Sequence, residues 1–119
     1  MYQAAYTALK NLNKPYLTHD RIVKLSRWIT AHKAMESGYG STVSNNFNYG
    51  GYGGENPIKF NNINEYVTRY VTDAQRLYPD IFKAGTYEQY IRALFPQGHG
   101  YNPRDKQGNI VNDPKLYDP

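Results

Sequence analysis

Cysteine is absent from this 119-residue chain. That excludes disulfides, thiolate nucleophiles and cysteine-based zinc sites, and it leaves the redox compartment open, since a cysteine-free chain tolerates both reducing and oxidising surroundings. No apolar run approaches the roughly 20 residues needed to cross a bilayer, so no membrane insertion is expected. No basic segment followed by an apolar one opens the chain, so no signal peptide is visible. Basic residues outnumber acidic ones by 14 to 10, giving a formal charge of +4 and a pI near 9.2. Yet no basic run exists: Lys10, Lys14, Arg21, Lys24, Arg27, Lys33, Lys59, Arg69 and Arg76 are scattered. Nucleic acid is therefore not expected as a partner. His-Glu-x-x-His, a phosphate loop and a nucleotide fingerprint are all missing. His19, His32 and His99 stand apart in sequence, and His32 with Glu36 supplies two ligands at most, so neither a metal nor a cofactor is expected.

What the chain does have is tyrosine, 13 of them against four Phe and one Trp. A tyrosine ring is apolar with a polar tip, which suits half-exposed clefts. The length fits one domain over residues 1–119 with a single modest core, with an N-terminal helix and loop over 1–17 and an irregular tail over 97–119 packed on it. Tyr2, Ala5, Tyr6 and Leu9 recur at helical spacing, and Asn11 to Pro15 breaks that helix. Thr18 reads as an N-cap with Asp20 in the first turn. The helix that follows runs to about Ser37, with a stripe of Ile22, Leu25, Ile29, His32 and Glu36 widened by Trp28 and Met35, and Gly38 and Gly40 end it. Asn62 or Asn64 caps a third helix with Val67, Tyr70, Val71, Ala74 and Leu77 inward, stopped by Pro79. Thr86 and Gln89 form a capping box for a fourth, with Tyr87, Tyr90, Ile91 and Leu94 inward. The fold class is mainly α.

Between the second and third helices the pattern changes. Asn45-Asn46-Phe47-Asn48-Tyr49-Gly50-Gly51-Tyr52-Gly53-Gly54 is too rich in glycine for a helix. It reads as a loop or short hairpin, with Ile58 to Phe60 as a candidate strand. A low-complexity linker carries little weight, because helices resume at once and the tract with Tyr39 holds four rings. Rings stack on sugar C–H faces, and asparagine amides both donate and accept. Phe47 is assigned to the core; Tyr39, Tyr49 and Tyr52 to a surface.

Glu36 is the most informative residue. It lies seven residues after Ile29 on the apolar stripe, near a helix C-terminus. Burial and the helix dipole both disfavour its charged form, so the expectation is a carboxylic acid that keeps its proton near neutrality and can give it to a glycosidic oxygen. The plain alternative is a carboxylate that turns into solvent or pairs with His32.

Ala34-Met35-Glu36-Ser37-Gly38-Tyr39-Gly40-Ser41, followed by Asn45-Asn46-Phe47-Asn48-Tyr49-Gly50, resembles the glucosaminidase family of peptidoglycan hydrolases, glycoside hydrolase family 73. That family's pattern is a helix ending in Glu-Ser-Gly-aromatic-Gly-Ser, then Asn-Asn-(Leu/Phe)-Phe-Gly-Ile-Lys. The likeness runs from about Thr18 to Leu94 in order of elements, and Gly100-Tyr101 with Asn112-Asp113-Pro114 resembles a split version of a later family segment. The resemblance implies a lysozyme-like helical domain with a β-hairpin or loop lobe, here reduced. It implies endo-β-N-acetylglucosaminidase action on peptidoglycan glycan strands, at the bacterial cell wall or periplasm, by a monomer. It makes Glu36 the general acid. Tyr39, Asn46, Asn48, Tyr49, Tyr52 and Tyr101 become substrate-binding residues. Tyr49-Gly50-Gly51 departs from the family's ending, and the lobe that would carry a second carboxylate is cut short. Glu55 alone remains inside it, so either Glu55 orients water or the substrate's own acetamido group acts. Lytic transglycosylases are a related alternative, although their Gly-(Leu/Met)-Met-Gln segment is missing. A non-catalytic glycan-binding wall or virion module is the alternative from another class.

Overall fold

The computed structural model describes residues 1–38, 40, 43, 46–50, 52–53 and 56–94. Among these it has four α-helices and a 3-10 turn, in the order α1 (Tyr2–Asn11), α2 (His19–Glu36), α3 (Ile63–Leu77), the 3-10 turn (Pro79–Lys83) and α4 (Tyr87–Ala93). The mainly helical expectation holds. The chain divides by its internal contacts into residues 1–72 and residues 73–119, so that the division falls within α3.

In the first unit α1 packs on α2. The buried face of α1 is Ala4, Ala5, Ala8 and Leu9. Small side chains let the two helices approach closely. Tyr2 is exposed and Tyr6 half-exposed, so the stripe is turned from the one expected, and the Tyr6 hydroxyl lies 3.1 Å from His19 Nδ1. α2 begins where its cap predicts: Thr18 is extended, and its side chain accepts from the Arg21 N–H at 3.3 Å. Ile22, Leu25 and Ile29 are buried along it; each contributes about 1.5–3 kcal/mol by leaving water. Ser26 and Thr30 donate back to the carbonyls of Ile22 and Ser26, both at 2.7 Å, which satisfies hydroxyls that face inward. Asn62 caps α3 by accepting from the Glu65 N–H at 2.9 Å. Phe60, Tyr66, Val67, Tyr70 and Val71 complete this unit's core.

In the second unit Ala74, Ile81, Phe82, Ala84, Tyr90, Ile91 and Leu94 are buried, and α4 packs on the 3-10 turn. Leu77, expected inside, is 45% exposed at the end of its helix, and Tyr87 is half-exposed. Thr86 caps α4 by accepting from the Gln89 N–H at 3.2 Å. The Gln89 side chain reaches back one residue further than the usual box and accepts from the Gly85 N–H at 2.7 Å. Residues 97–119, expected as a packed tail, lie outside the described residues.

No strand exists among the described residues, so the candidate strand at Ile58 to Phe60 is not formed. Two isolated links tie the tract together instead: Ile58 N–H to Tyr52 O at 3.1 Å, and Phe60 N–H to Asn46 O at 2.7 Å. The physical reason is Asn48. Its amide nitrogen donates to Tyr52 O at 2.7 Å and Ile58 O at 3.1 Å. The Asn48 side chain thus occupies Ile58 O, which a ladder would use, and shares Tyr52 O with the Ile58 N–H. Phe47 is half-buried with φ +50° and is not a core residue; the buried phenylalanine of the tract is Phe60.

Candidate active site

Glu36 is the last residue of α2, and its side chain keeps 12% of its exposure. It neither turns into solvent nor sits alone in an apolar wall. The Lys33 ammonium, one turn earlier, donates to Glu36 Oε1 at 2.9 Å, and His32 Nε2 lies 3.2 Å from the same oxygen. Both contacts use Oε1. His32 is wholly buried and Lys33 is 1% exposed. Lysine is almost never buried so completely unless paired. Here the ammonium lies 3.9 Å from the centre of the Tyr70 ring and 5.7 Å from that of Tyr66, so a carboxylate and two ring faces replace water around it. Burial pulls the Lys33 ammonium below its ordinary value, against the charge and hydrogen bond of Glu36, which act the other way. Burial, and then the Lys33 charge, hold the His32 imidazole well below its ordinary value.

The rest of the Glu-Ser-Gly motif shapes the end of α2. Ser37 is buried; its hydroxyl donates to Lys33 O at 2.8 Å and accepts from the Gly40 N–H at 3.0 Å. One side chain thus serves a terminal helix carbonyl and the first loop amide beyond it. Gly38 at φ +59° ends the helix in the left-handed conformation that glycine adopts freely. Across from α2, the loop comes close at Gly50, where a β-carbon would stand 3.2 Å from Glu36 Oε1. The Tyr66 hydroxyl donates to Gly50 O at 3.0 Å. Tyr66 is wholly buried, and burial first, then Glu36, Tyr70 and Tyr52, push its phenol above the ordinary value.

No family model, curated protein or solved structure matches this chain. The assignment of roles therefore rests on the site's own geometry.

Around Tyr66 the structure gathers several of the residues expected to bind sugar. Tyr49 packs on it at 5.6 Å between ring centres and Tyr52 at 5.8 Å, and Phe60 meets it edge-on at 5.3 Å. Tyr52 also lies under the Arg69 guanidinium at 5.1 Å. Both Tyr49 and Tyr52 are half-buried, so each keeps some ring surface. Asn46 and Asn48 are placed differently from the expectation. Asn46 Oδ1 accepts from the Asn48 N–H at 3.0 Å, and Asn48 Oδ1 accepts from the Gly50 N–H at 3.1 Å. With its amide nitrogen bonded to Tyr52 O and Ile58 O, Asn48 has both ends of its side chain engaged within the loop. It builds the turn that brings Gly50 to Glu36 rather than reaching outward. Tyr39, Glu55 and Tyr101 lie outside the described residues.

Sequence reading missed Lys33 as an inward residue. The signal was present: Lys33 follows Ile29 by four and Ser26 by seven, on the buried stripe, and precedes Glu36 by three, the spacing of a helical ion pair. Away from Glu36, a hollow of about 360 Å³ is lined by residues that include Tyr6, Lys10, Lys14 and His19; none of the expected site residues reaches it. Among the described residues no three His, Cys, Asp or Glu side chains converge as metal ligands, and no helix is long and apolar enough to cross a membrane.

Proposed function

We propose that this protein is a lysozyme-like peptidoglycan hydrolase, an endo-β-N-acetylglucosaminidase in which Glu36 gives a proton to the glycosidic oxygen. The observation that carries the reading is the setting of Glu36. It is a largely buried carboxyl at a helix end, held through Oε1 and leaving Oε2 for a substrate, beside a glycine that lets the loop come close and next to half-exposed tyrosines. A proton donor needs that combination of shelter, fixed orientation and one uncommitted oxygen. Tyr49 and Tyr52 supply ring surface for sugar and Asn46 contributes an amide; Tyr39 and Tyr101 are further candidate sugar-binding residues. Glu55 orients the attacking water, or the substrate's acetamido oxygen attacks in its place. The positive balance of the chain suits a wall polymer carrying carboxylates and phosphates.

The ion pair between Lys33 and Glu36 favours a second reading, a glycan-binding wall or virion module without turnover, because an ammonium so close stabilises the carboxylate rather than the acid. Purified cell walls separate the two. Hydrolysis lowers turbidity and leaves reducing N-acetylglucosamine ends by mass spectrometry; 1,6-anhydro-muramic ends mean a lytic transglycosylase. Bound protein on intact walls means a binder. Glu36→Gln abolishes lysis if Glu36 is the donor, and lysis at the wild-type rate by that variant refutes the assignment.

A further inference from the structure

We propose that Lys33 is a positioning residue for Glu36: its buried ammonium fixes Oε1, leaves Oε2 to the glycan oxygen, and stabilises the carboxylate that remains once the proton has left. This rests on the hydrolase reading above. The geometry is specific. Lys33 Nζ sits 2.9 Å from Oε1 and 3.9 Å from the centre of the Tyr70 ring, on a side chain that is 1% exposed, so it cannot itself meet a polymeric substrate. Its ammonium donates to the Glu36 carboxyl. Among the described residues, the other titratable groups that face the pair are His32 on α2 and Tyr66 and Tyr70 on α3, while the loop contributes the backbone at Gly50. His32 is held neutral by burial, and a buried phenol stays protonated in the range where glycosidases work, so neither changes charge during the reaction.

The proton balance is simple. The Oε2–H bond breaks and a bond from that hydrogen to the leaving glycosidic oxygen forms. The bonding electrons stay on the Glu36 carboxylate, next to an ammonium already in place. Charge develops where a fixed opposite charge waits, which is how a preorganised site lowers a barrier. Removing that ammonium should therefore slow the proton transfer itself.

Lys33→Met keeps the length and apolar stem of the side chain and removes the charge. The expected result is a lysis profile of changed shape, in which the acid side loses most of its rate and the alkaline side loses least. A merely structural lysine would lower the rate at every pH alike. Glu36→Gln, inactive at every pH, is the control for the hydrolase reading. If Glu36→Gln is inactive but Lys33→Met keeps the wild-type profile, the role of Lys33 falls and the hydrolase stands; if Glu36→Gln lyses walls normally, both fall. Should Lys33→Met not fold, ¹³C NMR of the wild-type protein gives the answer directly. The Lys33 Cε signal is expected to move with the Glu36 carboxyl through the acid limb, and a Lys33 signal indifferent to that step overturns the proposal.

Discussion

Replacing Asn48 by alanine removes three side-chain hydrogen bonds: those to Tyr52 O, to Ile58 O and from the Gly50 N–H. A neutral hydrogen bond contributes about 0.5–1.5 kcal/mol net, and the bond to Ile58 O is exposed, so the loss is about 2–3 kcal/mol, felt first in the loop. Asn48→Asp is the sharper test. It changes the amide nitrogen to oxygen, keeps the acceptor for the Gly50 N–H, and turns a charged oxygen on the two carbonyls that the nitrogen served. It should therefore cost at least as much as the alanine, although it is nearly isosteric. Amide hydrogen exchange at Gly50 and Ile58 reads the effect locally, and a thermal melt reads whatever part is global. Opening of the loop should rise by roughly 30- to 150-fold, the factor that corresponds to 2–3 kcal/mol. If Asn48 instead points to sugar, both variants would leave exchange and melting at wild-type values and weaken glycan binding alone. That result would refute the structural role assigned here.

Two further perturbations probe the same neighbourhood. Gly50→Ala places a β-carbon 3.2 Å from Glu36 Oε1 on a backbone with φ +144°, a conformation that costs alanine about 1–3 kcal/mol; wall lysis should fall at least tenfold while melting of the helices, followed by circular dichroism, changes little. His32 predicts a pH dependence. Its folded value is held well below 6.5, while the unfolded chain takes up a proton near that value. Between the two, the unfolded state binds more protons, so stability falls as the pH drops below 6.5 by up to about 1.4 kcal/mol per unit. His32→Gln removes that contribution, so as the pH drops below 6.5 the wild-type urea midpoint should fall more steeply than the variant's. Midpoints that differ by a constant amount at every pH would contradict it.

The helices were legible because their signals are local. Thr18 and Thr86 cap with their own side chains, Asn62 does the same for α3, and the stripe from Ile22 to Ile29 repeats at the helical period. Two things were hidden for different reasons. The face of α1 was mistaken because its alanines carry little hydrophobic weight beside Tyr2 and Tyr6, yet small side chains are what a close helix pair selects. The tract after α2 reads equally as a loop or a short hairpin, with Ile58 to Phe60 as a candidate strand, because its local composition suits both. The decision lay in Asn48, whose amide captures two carbonyls only once the chain has already turned back on itself. No local pattern carries that information.

Glu36 and Lys33 show the deeper limit. Spacing places Glu36 on the inward stripe, and Lys33, three residues earlier, lies there too, although it was not recognised; a charge on that stripe has several physical outcomes: neutralise, escape to solvent, or find a partner. The sequence expectation for Glu36 is the neutral acid, and Lys33 enters it only as one of the scattered basic residues. The structure takes the third course for both at once, since each supplies the partner the other lacks. That solution is visible only when the two residues are considered together, with Tyr66 and Tyr70 from another helix closing the space around the ammonium. It also alters what the site must do. On the hydrolase reading proposed above, a proton that leaves Glu36 leaves its bonding electrons beside a fixed ammonium. On that reading, Lys33→Met set beside the wild-type protein is where the pairing and the proposed chemistry meet.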